Sequence, residues 1–139
     1  MREGLHAWGP VIAWALIILV ATTLPIPTDP LDTGDFPVDR VAHFVLYLGF
    51  GVTLGRALWL QRRRRLLSFL LAWTGGLVFA AIDELHQAWI PSRVPSVGDW
   101  TADAAGITVG LLAYVVVGSI ACDRRRRGER GRERDEPTT

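Results

Sequence analysis

Four long apolar stretches run through the chain, over about residues 5–24, 41–60, 66–88 and 100–120, with polar residues gathered between them or at their ends. Each is close to the ~20 residues that a helix needs to cross the hydrocarbon core of a bilayer. A soluble four-helix bundle keeps charge on one face of every helix, whereas 12–20 and 111–120 carry none on any face. The pattern therefore predicts an all-α polytopic membrane protein, four transmembrane helices in a compact bundle. Pro25, Pro27, Pro30 and Pro37 break the helical pattern after the first stretch, and Pro91 and Pro95 break it after the third. Arg2, the apolar run and the small residues Ala21, Thr22 and Thr23 also outline a signal peptide. The run is long and three further spans follow, so a retained helix is expected.

Charge adds orientation to this picture. The chain has 139 residues and a net charge of +1, enough for one domain but uninformative about partners. Its distribution says more: Arg62 to Arg65 fall between the second and third stretches, and Arg124 to Arg127 follow the fourth. Basic residues in short loops mark the cytoplasmic side. This places both termini inside, an N-in, C-in arrangement, with Asp29, Asp32 and Asp35 in an external loop. Residues 1–122 form the expected membrane domain; 123–139 form a charged cytoplasmic tail, expected to be disordered or a frayed helical extension. Its arginines serve as a topology signal or attract anionic lipid. They lack interleaved aromatics, and there is no Gly-rich phosphate loop, so no nucleic-acid partner is expected. Cys122 is the single cysteine, which excludes an intrachain disulfide and suits a packing role.

Given that orientation, the polar residues within the spans converge. Asp39, Arg40, His43 and Tyr47 lie at the outer end of the second helix; Asp83, Glu84, His86 and Gln87 at that of the third; Ser96, Asp99 and Asp103 at that of the fourth. Steps of four residues put Asp39, His43 and Tyr47 on one helical face, Asp83 and Gln87 on another, and Asp99 and Asp103 on a third. Tyr47 would lie about 12 Å deeper than Asp39, which describes a funnel. Simpler readings exist for some of these residues. Asp39 and Asp99 suit helix N-caps, and Tyr47, Trp89 and Trp100 suit an interfacial aromatic belt. Asp83 and Glu84 fit neither, because they stand near the negative end of a helix at membrane depth, where a carboxylate costs up to roughly 2.5–3.5 kcal/mol. Arg40 and Arg93 are the cations expected to offset them. Gly49, Gly51, Gly55, Gly75, Gly76, Gly106 and Gly110 are expected to let the helices approach closely.

The ordered set Asp39-Arg40-Val41-Ala42-His43-Phe44-Val45-Leu46-Tyr47, then Asp83-Glu84-Leu85-His86-Gln87 with Arg93, then Asp99, Asp103 and Gly106, resembles the VanZ-like family of small bacterial membrane proteins. The resemblance covers residues 39–110 and implies a protein of the bacterial cytoplasmic membrane, associated with resistance to glycopeptide antibiotics such as teicoplanin. Arg40 stands where the family usually has Lys, and Asp103 where it usually has Asn. The first change keeps the cation; the second adds an acid, which weakens anion binding and favours a cation.

These residues support a site, open to the outer face, for a cell-envelope lipid head group, an isoprenoid-linked phosphate or a cell-wall precursor. Arg40 and Arg93 would hold phosphate. His43, Asp83 and Glu84 are the candidate acids and bases, and Asp39, Tyr47, Gln87, Asp99 and Asp103 complete the binding set. The alternative is a non-enzymatic scaffold whose polar cluster fixes helix packing. A metal centre would draw on His43, Glu84, His86 and Asp99 or Asp103, whose atoms suit zinc. His86 diverges from Gln87 by about 100° around the helix, and no compact H-E-x-x-H motif is present, so no metal or cofactor is expected. The sequence assigns neither a reaction nor an oligomeric state.

Overall fold

The computed structural model describes residues 2–24, 38–61, 66–91, 93 and 95–135. The proline-rich segment 25–37 and the arginines at 62–65 lie outside the described residues. Four helices follow one another: α1 (Arg2–Thr23), α2 (Val38–Leu60), α3 (Leu66–Gln87) and α4 (Val97–Asp135). All four contain a stretch long and apolar enough to cross a membrane. Their surface explains which solvent they need. Leu16, Leu71, Val78 and Val117 are exposed, while His43, Asp83, Glu84 and Asp103 are buried. Exposed apolar area on this scale around a polar interior suits lipid and opposes water. The chain is a multi-pass membrane protein.

Glycine sets the closest helix contact, that of α2 with α4. A side chain on Gly106 would meet the Phe44 carbonyl oxygen at 2.5 Å and the Leu48 nitrogen at 2.8 Å, and one on Gly110 would meet the backbone of Leu48 and Val52. Gly51 lies in the same way against the backbone of Ile107. The two backbones touch because these positions carry no Cβ, the small-residue packing that replaces the hydrophobic effect within lipid. α1 lies on α2 through Trp14, whose indole donates to the Leu46 carbonyl at 2.8 Å and covers Gly49. α3 lies on α4 through Gly76, against Ile107, and through Trp73, which donates to Thr108 Oγ1 at 3.0 Å. Gly75, expected to pack, faces open space; one residue of helix turns it about 100° away from the contact that Gly76 makes. Ile18, Tyr47, Phe50, Leu54, Ile107 and Leu111 form the centre of the apolar core.

α4 continues without a break past Cys122 to Asp135, in keeping with the helical extension, one of the two expectations for this tail. Arg and Glu are good helix formers, so the tail extends an existing helix without a new nucleus.

Candidate functional site

The polar ends of α2, α3 and α4 meet, and they divide into two networks. The first centres on Asp83, which is fully buried. Its Oδ1 accepts from Thr22 Oγ1 of α1 at 2.8 Å, and its Oδ2 accepts from Tyr47 OH of α2 at 2.9 Å and from Gln87 Nε2 at 3.5 Å. Both oxygens are thus occupied by donors from three helices. This answers the cost of an acid near the C-terminal end of α3: neutral donors offset it, not Arg40 or Arg93 as the sequence suggests. Thr22, absent from the expected site, was hidden at the end of the first apolar run. Its signal is a hydroxyl inside a span, which here also bonds the Ile18 carbonyl at 2.9 Å.

The second network joins His43, Glu84 and Asp103, all buried. His43 Nδ1 lies 2.9 Å from Asp103 Oδ1, across the α2–α4 contact that Gly106 permits. Glu84 Oε1 accepts the backbone N–H of Ser96. Ser96 is the residue that caps α4, because its Oγ accepts from the Gly98 N–H at 3.1 Å and its carbonyl accepts from Trp100 N–H at 3.1 Å. Asp99, a candidate cap, instead faces Arg40. One ligand-type atom from each of His43, Glu84 and Asp103 falls within 4.8 Å of the others. Glu84 Oε2 and Asp103 Oδ2 are buried without a hydrogen-bond partner.

The rim carries the cations. Arg40 Nε stands 3.8 Å from Asp99 Oδ1, with its side chain 58 % exposed, and it crosses the first turn of α4 over Gly98, where a Cβ would obstruct it. Arg93 donates from Nη1 to Gln87 Oε1 at 3.4 Å and from Nη2 to the Leu24 carbonyl at 3.3 Å; its Nε has no partner. Asp39 is exposed at the start of α2, and His86 is exposed on α3, away from the cluster. Of the expected site residues, the structure joins His43, Tyr47, Asp83, Glu84, Gln87, Arg93 and Asp103 around one end of the bundle, with Arg40 and Asp99 beside them. Asp39 has no hydrogen bond or ion pair with them among the described residues.

Residues 7–118 match the VanZ/LLP1 family. The chain belongs to this family. No curated protein and no solved structure matches it. The matched span includes every polar residue of both networks and ends before the charged part of α4.

Beside the cluster, a cleft of about 330 Å³ is lined by Ala81, Leu85, Pro95, Val97 and Trp100, with Glu84 and Ser96 as its polar residues. An apolar groove thus reaches the second network between the end of α3 and the start of α4.

Proposed function

We propose that the chain binds the anionic head group of a cell-envelope lipid at the polar end of its bundle, on the outer face of the bacterial cytoplasmic membrane. Arg93 carries the proposal. Among the described residues its guanidinium has no carboxylate partner, and its Nε is buried and unpaired beside Gln87. A guanidinium fork matches phosphate oxygens two at a time, so an isoprenoid phosphate or a phosphate-bearing cell-wall precursor supplies the missing acceptor. Arg40, half open to solvent, adds a second cation at the rim. The cleft between α3 and α4 takes the hydrocarbon chain of such a lipid. The outer-face assignment follows from the Arg clusters at 62–65 and 124–127, which belong on the cytoplasmic side. Within the site His43 and Glu84 are the candidate acid or base, and Glu84 lines the cleft. Asp83, with both oxygens occupied, positions Tyr47 and Gln87 and moves no proton. Loss of the site would then alter envelope integrity and glycopeptide susceptibility. A second reading, a scaffold held by its polar cluster, is favoured by Asp83 alone, whose partners are all helix-packing ones.

Native mass spectrometry of the purified protein with a short isoprenyl phosphate, against the matching neutral alcohol, tests the proposal. The phosphate should bind preferentially, and Arg93→Ala should weaken it tenfold or more, a loss of about 1.4 kcal/mol. Undiminished binding by the Arg40→Ala/Arg93→Ala protein would remove the head-group reading.

A further inference from the structure

We infer that His43, Glu84 and Asp103 form a site for a divalent transition-metal cation with a preference for mixed nitrogen and oxygen ligands, of which Zn²⁺ is the probe. Three helices each contribute one ligand-type atom, all within 4.8 Å of one another. Ligand atoms around a tetrahedral cation at ~2.0–2.1 Å stand about 3.3–3.4 Å apart, so side-chain rotations that close the cluster by about an ångström seat an ion. His43 Nδ1 and Asp103 Oδ1 are 2.9 Å apart. That is a few tenths of an ångström under the ~3.3–3.4 Å between neighbouring ligands of such an ion, so the pair opens slightly to admit it. A cation replaces the proton that now joins them.

The second observation is independent of this spacing. Among the described residues, the buried carboxylate oxygens that lack any partner are Glu84 Oε2 and Asp103 Oδ2, and both belong to this cluster. A buried acceptor left without a donor costs about 1–3 kcal/mol, and more when charged. Asp83, a few ångströms of helix away, shows that the fold supplies donors where it needs them: Thr22, Tyr47 and Gln87 fill both its oxygens. Around Glu84 and Asp103 it supplies one imidazole and one backbone N–H, and no described arginine contacts either acid. Two acids against one imidazole leave a deficit of positive charge in a buried place. A divalent ion corrects that deficit and gives Glu84 Oε2 a partner, with Asp103 bound through its carboxylate.

The ligands are also held in place before an ion arrives. Glu84 is tied through Oε1 to the start of α4, and His43 and Asp103 are fixed across the backbone contact at Gly106. One imidazole with two carboxylates suits Zn²⁺ or Mn²⁺ better than a thiolate-seeking metal, and three protein ligands leave a coordination position open. The site goes beyond the head-group reading and does not require it.

The full chain, purified in detergent and stripped with a chelator, is to be loaded with Zn²⁺ without added lipid. Elemental analysis should give one Zn²⁺ per chain, and X-ray absorption at the zinc edge should show one imidazole in an otherwise oxygen shell. Glu84→Gln and Asp103→Asn, which keep the shapes and the contacts to Ser96 and His43, should weaken uptake tenfold or more, and His86→Ala should leave it intact. Three results would each overturn the inference: no stoichiometric uptake, two or more imidazoles in the shell, or equal uptake by both carboxylate variants. The absorption spectrum is read on the unaltered protein, so it decides the matter even if a variant fails to fold. Isoprenyl phosphate binding is measured separately, so one reading can fail while the other stands.

Discussion

Gly106→Ala should destabilise the protein by about 1–3 kcal/mol, whereas Gly75→Ala should leave it unchanged or slightly more stable. Both substitutions put the same methyl group into a helix, and helix propensity favours alanine by about 0.8–1.0 kcal/mol at each. The sign differs because of what the methyl meets. At Gly106 it stands 2.5 Å from the Phe44 carbonyl oxygen, 2.8 Å from the Leu48 nitrogen and 3.1 Å from the Tyr47 carbonyl carbon. All three are backbone atoms of α2, which cannot swing aside as a side chain can. At Gly75 nothing lies within 4 Å. Overpacking at Gly106 therefore separates α2 from α4 beside the His43–Asp103 contact, and unfolding curves in mixed micelles should show it. Equal shifts at the two glycines would mean that α2 and α4 do not touch as described.

Asp83→Ala is expected to cost about 2–3 kcal/mol of stability, and Tyr47→Phe clearly less. Interhelical hydrogen bonds in membranes average only about 0.6 kcal/mol each, because the unfolded chain in lipid also finds partners. Two such bonds, from Thr22 and Tyr47, account for about 1.2 kcal/mol on that scale, and the longer Gln87 bond lies within α3. The remainder comes from Tyr47 OH, which is left buried without an acceptor. Thr22 suffers less, since its hydroxyl keeps the Ile18 carbonyl. Tyr47→Phe removes a single donor, and Asp83 retains Thr22 and Gln87. The order of the two variants in the same unfolding assay checks the account. Wild-type stability in Asp83→Ala would show that this acid holds nothing together.

The spans were legible because lipid imposes a single requirement, about 20 apolar residues, and because prolines and arginines interrupt the apolar runs. The grouping of His43, Asp83, Glu84 and Asp103 at one end was legible too, from four-residue spacing combined with alternating helix direction. Pairing was not. Whether His43 meets Asp103 or Glu84 depends on how far α2 rotates against α4, and that rotation is set by Gly51, Gly106 and Gly110 meeting backbone. The same limit explains Gly75 and Gly76, adjacent in sequence and about 100° apart in space. It explains the cations as well: opposite charge suggests Arg40 and Arg93 as partners of Asp83 and Glu84, yet they engage Asp99, Gln87 and the Leu24 carbonyl.

The central claim is that the cluster around His43, Glu84 and Asp103 is a binding site as well as a join between helices. The most direct test is one preparation of Glu84→Gln, in which the melting temperature and Zn²⁺ uptake are measured together against wild type. Glutamine keeps an acceptor for the Ser96 N–H, so a melting temperature close to that of wild type is expected together with Zn²⁺ uptake weakened tenfold or more. A melting temperature that falls while Zn²⁺ uptake stays unchanged would contradict the claim, and would make the cluster a packing device alone.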